Sequence, residues 1–147
     1  MADFRLRRAM ETEAASIRKL IHLVGINPTG LDWKRFVVAM DARDEMVGCG
    51  QIKPHGKDVL ELASIAVAPE YRGKGIARAI IEMLLAETPR PLYLMCLSPM
   101  GPFYEKFGFQ NLTLEEMPVY FRRIARLAGF ADMLSRSGES LLVMKLQ

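Results

Sequence analysis

The sequence predicts a mixed α/β domain: a central, mostly antiparallel sheet flanked by helices. Three observations carry that expectation. Short β-prone apolar runs follow one another across polar turns between Phe36 and Val67. Two further stretches repeat apolar residues at helical spacing, around Ile17 to Val24 and around Ile76 to Leu85. The last of the apolar runs passes through a glycine-bearing loop directly into the second of these helices. With 147 residues, 50% apolar and 25% charged, the chain has room for a real core and suits one domain over 1–147.

Taken in order, Phe4, Leu6 and Arg8 alternate with Arg5 and Arg7 as a short half-exposed strand. Thr12 is the expected N-cap of a helix carrying Ile17, Leu20, Ile21 and Val24, with Gly25 as its stop and Asn27 to Gly30 as a turn. Phe36 to Met40, Met46 to Ile52 and Val59 to Val67 read as three strands of an antiparallel meander. Asp41 to Glu45 and Pro54 to Asp58 are the breaks between them. The Ile76 helix is apolar on most faces and ends at Thr88-Pro89. Pro91 to Leu97 is the next strand, Pro102 to Lys106 a short helix, Gly108-Phe109 the opening of a strand or turn, and Leu141 to Leu146 the closing strand. Between the last two, Pro118 to Gly129 reads as an amphipathic helix, with Tyr120, Phe121, Ile124 and Leu127 on one face and Arg122, Arg123 and Arg126 on the other.

Composition narrows the function classes. The apolar content excludes a disordered chain, and no apolar run approaches the roughly 20 residues of a membrane span. Asp3, Arg5, Arg7 and Arg8 break up the N-terminus, so no secretory signal is visible and a cytoplasmic location is expected. Cys49 and Cys96 lack metal-ligand spacing and read as reduced thiols; no metal is expected. A net charge of +3 does not mark a nucleic-acid binder and fits an anionic small ligand equally well.

The chemistry concentrates at Leu62 to Arg78. Gly73 and Gly75 allow a ligand to approach the backbone closely, and the first amides of the helix are unpaired donors at the positive end of its dipole. Arg72 and Lys74 add positive charge, so the corner suits a phosphate or diphosphate. The spacing is neither that of a Walker loop nor that of a dinucleotide fingerprint, and a plain tight turn is the rival reading.

In these residues the chain resembles the GCN5-related N-acetyltransferases (GNAT). Their acetyl-CoA signature, Q/R-x-x-G-x-G/A after a strand and opening a helix, stands here as Arg72-Gly73-Lys74-Gly75-Ile76-Ala77. Their downstream tyrosine with a Gly-Phe stands as Phe103-Tyr104-Glu105-Lys106-Phe107-Gly108-Phe109. The resemblance covers most of the chain, from about Phe4 to Leu146, and implies the GNAT acyltransferase fold. It implies that the loop Arg72, Gly73, Lys74, Gly75, Ile76 and Ala77 holds the pyrophosphate of acetyl-CoA, and that Ile65, Ala66 and Val67 pair with the pantetheine arm. A backbone N–H near Val67 would polarise the thioester carbonyl.

The acceptor, a primary amine on a small molecule or a protein, would attack that carbonyl directly. Tyr104 would serve as the general acid for the leaving thiolate; a core aromatic is the rival reading. Glu61 is the candidate base, since alternation along its strand places it on one face with Ala63, Ile65 and Val67. A solvent-facing glutamate is the rival there. Ser64 is expected on the opposite face as a weaker candidate. His22 and His55 read as structural or solvent-facing. Solvation is the plain account of the arginine face, while Tyr120 and Phe121 are expected to help shape the acceptor pocket. No membrane or nucleic-acid partner is expected; a homodimer, common in the family, stays open. The alternative to an enzyme is a non-catalytic acyl-CoA-binding or regulatory module of the same fold.

Overall fold

The computed structural model describes residues 3–134 and 138–147. It is a mixed α/β fold of strands flanked by helices, in which the chain forms two compact units. One comprises Met1–Lys53 and Leu62–Pro89, the other Pro54–Glu61 and Arg90–Gln147.

The first unit holds β1 (Phe4–Arg8), α1 (Ala14–Val24), β2 (Phe36–Asp41), most of β3 (Met46–His55), the later part of β4 (Val59–Val67) and α2 (Ile76–Glu87). β1 runs antiparallel to β2, with Phe4 opposite Asp41 and Arg8 opposite Val37. β2 runs antiparallel to β3, with Phe36 opposite Gln51 and a register shift between Ala39 and Met40. Side chains alternate across these strands. Phe36, Val38, Met40, Cys49 and Ala66 pack with Ile17, Leu20 and Ile21 of α1. The opposite face takes α2, and the contact is close. A Cβ built on Gly50 would lie 2.5 Å from Ile65 Cδ1 and 2.8 Å from Ile80 Cγ2, so hydrogen alone fits there.

The start of α1 departs from the sequence expectation. Thr12 is not the N-cap: a 3-10 turn over Glu11–Glu13 precedes the helix, which begins at Ala14 behind Glu13. Glu13 Oε1 accepts the Met10 N–H at 2.8 Å, and its carboxylate receives both Arg7 guanidinium nitrogens at 2.8 and 2.7 Å. That charged clamp holds the turn that a threonine hydroxyl was expected to open.

The second unit holds Pro54 and His55 of β3, Val59 to Glu61 of β4, β5 (Leu92–Leu97), α3 (Gly101–Glu105), β6 (Gln110–Asn111), α4 (Val119–Leu134) and β7 (Leu141–Leu146). β5 runs parallel to β4 with Tyr93 opposite Glu61. β7 lies antiparallel to both of its neighbours, Leu92 facing Leu146 and Gln110 facing Lys145. Tyr93, Met117, Phe121 and Val143 form the core of this unit, with Val59, Met95, Leu112 and Ala125 against them.

Two further expectations are corrected here. Pro54 and His55 do not break β3 but complete it, and the turn is confined to Gly56 to Asp58. Nor is α4 divided as drawn from its sequence. Phe121 is wholly buried whereas Leu127 is 74% exposed, because the packed stripe runs through Phe121 and Ala125. The helix also continues beyond Gly129 to Leu134.

Candidate functional site

The loop after β4 is built as a cradle of backbone donors. Pro69–Tyr71 forms a 3-10 turn, and Gly73 and Gly75 follow at φ +80° and +82°, where an L side chain is strained. Gly75 is the N-cap of α2, and the first helical bond is Ala79 N–H to Gly75 O at 3.0 Å. Among the described residues, the amides from Gly73 to Arg78 have no backbone acceptor. No neighbour comes within 4 Å of a Cβ at either glycine, so the space beside the loop is open. Successive free N–H groups at the positive end of a 12-residue helix, with Arg72 and Lys74 among them, are a fit for a phosphate-bearing ligand.

The loop is anchored from below. Tyr71 Oη donates to Asp41 Oδ2 at 2.9 Å, and Lys74 Nζ stands 5.5 Å from the centre of the Tyr71 ring. The Asp41 carboxyl is held below its usual range, first by the Glu45 N–H, then by the Tyr71 hydroxyl and the Arg43 N–H. The end of β4 leads into this loop. Ala68 N–H bonds to Val47 O at 2.9 Å, so alternation turns the Val67 N–H toward the strand's other edge.

Ser64 adopts φ +59° in the middle of β4. A left-handed residue interrupts period-two alternation, so the expectation of one face for Glu61, Ala63, Ile65 and Val67 loses its physical basis. The Ser64 hydroxyl is tied down: Gln51 Nε2 donates to Ser64 Oγ at 2.8 Å and to Gly30 O at 3.1 Å. Cys49, buried beneath, has its thiol pushed up to about 12 by burial, which makes it an inert packing group.

Tyr104 lies on α3, half-buried, edge-on to Phe103 and Phe109 with ring centres 5.1 and 6.2 Å away. Burial, with a smaller contribution from neighbouring Cys96, pushes its hydroxyl up to about 12. The phenol therefore stays protonated through neutral pH, which a proton donor requires.

Glu61 is not a solvent-facing strand glutamate. It is 4% exposed, and its Oε1 lies 2.7 Å from His55 Nε2. His55 in turn stacks on Tyr120, ring centres 3.7 Å apart and planes inclined by 18°, and meets Phe121 edge-on. Burial, followed by the Glu61 charge, pushes the Tyr120 hydroxyl above its ordinary value. The histidine that sequence reasoning set aside is thus the partner of its candidate base. The signal was present: His55 ends the strand before a three-residue turn and Glu61 lies on the strand that follows it, within the diagonal reach of a hairpin. Pro54, His55, Val119, Tyr120, Arg123 and Ile124 line an open cleft of about 740 Å³ over this cluster. Tyr120 lines that cleft, whereas Phe121 belongs to the core.

The arginine face also resolves into separate roles. Arg122 is engaged by three carbonyls, those of Met117 at 2.9 Å, Leu114 at 3.3 Å and Glu115 at 3.4 Å, and so secures the approach to α4. Arg123 lines the cleft instead. Among the described residues, no helix is long and apolar enough to cross a membrane.

Comparison with known proteins bears on the same segment. A model of the acetyltransferase (GNAT) domain matches residues 32–111. An uncharacterized N-acetyltransferase of Chlorobaculum tepidum is 26% identical over 132 residues, covering 80% of this chain and 82% of the relative. Among solved structures, N-acetylglutamate synthase from Neisseria gonorrhoeae, complexed with coenzyme A and N-acetyl-glutamate, superposes with a TM-score of 0.74 at 20% identity. That match covers the whole of this chain, which spans 36% of the synthase. The Rv2747 protein of Mycobacterium tuberculosis, in complex with CoA, superposes with a TM-score of 0.70 at 23% identity over 97% and 99% of the two chains.

Proposed function

Because the chain belongs to the GNAT acetyltransferase family, we propose that it transfers the acetyl group of acetyl-CoA to a primary amine by direct attack, with Tyr104 as general acid. The observation that carries this reading is the loop of unpaired amides from Gly73 to Arg78 between β4 and α2. Those amides, with Arg72 and Lys74, receive the pyrophosphate of acetyl-CoA, and the strand end at Ile65, Ala66 and Val67 receives the pantetheine arm. The Val67 N–H, directed away from β3, is the donor to the thioester oxygen as negative charge develops there.

The amine nitrogen forms its bond to the carbonyl carbon while the carbon–sulfur bond breaks, so no acyl-enzyme is needed. Tyr104 donates to the departing sulfur. With its hydroxyl near 12, it stabilises the thiolate by a strong hydrogen bond more readily than by complete proton transfer. Glu61 is the carboxylate that serves removal of the acceptor's proton, and its contact with His55, through which it acts, supports a role in proton handling over simple solvation. Binding the nitrogen in line with the carbonyl supplies the remainder of the rate through positioning.

Release of free thiol from acetyl-CoA, followed with a panel of primary amines, tests the proposal. Amine-dependent release that falls in Tyr104→Phe supports it. Acetyl-CoA binding without release on any amine favours instead a non-catalytic acyl-CoA-binding or regulatory module.

A further inference from the structure

The cleft over His55 has two opposite charges built into one small unit. The Glu61 carboxylate lies buried behind the imidazole, and the Arg123 side chain is on the wall. A Glu61 carboxylate accepts hydrogen bonds only, and against it His55 Nε2 is the donor. In that tautomer of the neutral ring Nδ1 is the accepting nitrogen, and among the described residues nothing bonds to it. Tyr120 holds the ring plane by stacking at 3.7 Å. A basic nitrogen backed by a buried carboxylate and fixed in orientation is the arrangement that takes a proton from a nucleophile. Arg123, unlike Arg122, has no anionic or carbonyl partner among the described residues. Val119 and Ile124 add apolar surface to the same cleft.

We propose that this cleft binds the acceptor, that the acceptor is a small primary amine bearing a carboxylate, and that His55 is its proton acceptor. The inference rests on the acetyltransfer reading above. The ammonium faces His55 and the carboxylate faces Arg123, so a zwitterion meets both charges of the cleft at once. One ammonium N–H bond breaks, its proton moves to His55 Nδ1, and its electron pair remains on nitrogen for attack. The imidazolium so formed is balanced by Glu61, which on this account acts through His55 as a positioning residue.

The test pairs amino acids with their decarboxylated amines, using the full chain and acetyl-CoA. His55→Gln is expected to lower kcat by about 100-fold while leaving the KM for acetyl-CoA unchanged. His55→Ala is expected to regain part of the rate when imidazole is added, which a merely structural role would not allow. Arg123→Gln is expected to raise the KM of the amino acid by about tenfold and leave that of the decarboxylated amine unmoved. Independently of turnover, titrating the amino acid should shift the His55 ring resonances in the NMR spectrum of the wild type. Turnover that survives His55→Gln, or a preference for the decarboxylated amine, overturns this inference alone. Absence of turnover on every amine overturns the acetyltransfer reading, and this inference with it.

Discussion

Tyr71 Oη donates to Asp41 Oδ2 across 2.9 Å, tying the loop that precedes α2 to the turn between β2 and β3. Asp41 also accepts the Arg43 and Glu45 N–H groups, both at 2.9 Å, so the anchor is a turn already fixed by its own backbone. Tyr71→Phe removes the tie and keeps the ring under Lys74. The expected outcome is a rise of about threefold in the KM for acetyl-CoA with kcat unchanged. Steady-state kinetics at fixed amine checks it, and a fall in kcat alone would place the tie elsewhere in the mechanism.

The Arg7–Glu13 clamp gives a pH prediction with a definite sign. The Arg7 guanidinium, then the Met10 N–H, hold the Glu13 carboxyl below its ordinary value of 4.5. A depressed folded value means that the stabilisation is present above that ordinary value and disappears as pH falls through the depressed one. Glu13→Gln should therefore cost about 1 kcal/mol at neutral pH. The difference from wild type should close as the solution is acidified below the usual carboxylate range. Urea melts at several pH values measure this directly.

Gly75→Ala separates backbone conformation from steric space. Nothing lies within 4 Å of the added Cβ, so the cost arises from φ +82° alone and amounts to about 1 kcal/mol of stability. Relaxation of that strain would move the amides that open α2. Acetyl-CoA affinity, read by calorimetry, should then fall by about tenfold, more than the stability loss by itself would cause.

Gly50→Ala is the complementary case. There the added Cβ meets the side chains of Ile65 and Ile80 at 2.5 and 2.8 Å, so those side chains, or the elements that carry them, must give way. Overpacking of this kind costs about 1–3 kcal/mol. Denaturant midpoints should fall accordingly, with no such fall for an alanine at exposed Gly56, apart from the strain of its φ +67°.

How far the sequence could be read differs from element to element. β7 spans Leu141–Leu146 as its apolar pattern implied, and α2 begins at Ile76 behind the glycines that marked its start. Those features are local: alternation, helical period and turn chemistry act over a few residues. The family's motif loop was legible for the same reason. What could not be read depended on residues distant in sequence or on one unusual dihedral. Glu13 displaced Thr12 because Arg7 reached it from β1. Leu127 lost its place on the buried stripe because Met117, Tyr93 and Val143 chose the Phe121 side of α4. Ser64 took a positive φ that no composition rule assigns to serine within a strand. His55 was dismissed because its partner was sought along the sequence, while the hairpin supplied it from the neighbouring strand.

Tyr104 offers the most direct test of the central claim, that this fold moves an acetyl group from acetyl-CoA to an amine. With its hydroxyl raised to about 12, Tyr104 stays protonated across the working range. It should therefore contribute no alkaline limb to kcat below about pH 10. The measurement is amine-dependent thiol release from acetyl-CoA by wild type and Tyr104→Phe over that range. The account predicts turnover in the wild type, a loss of about 100-fold in kcat for the variant, and an unchanged KM for acetyl-CoA. Equal turnover in the two proteins would contradict the role of Tyr104, and acetyl-CoA binding with no release on any amine would contradict the claim itself.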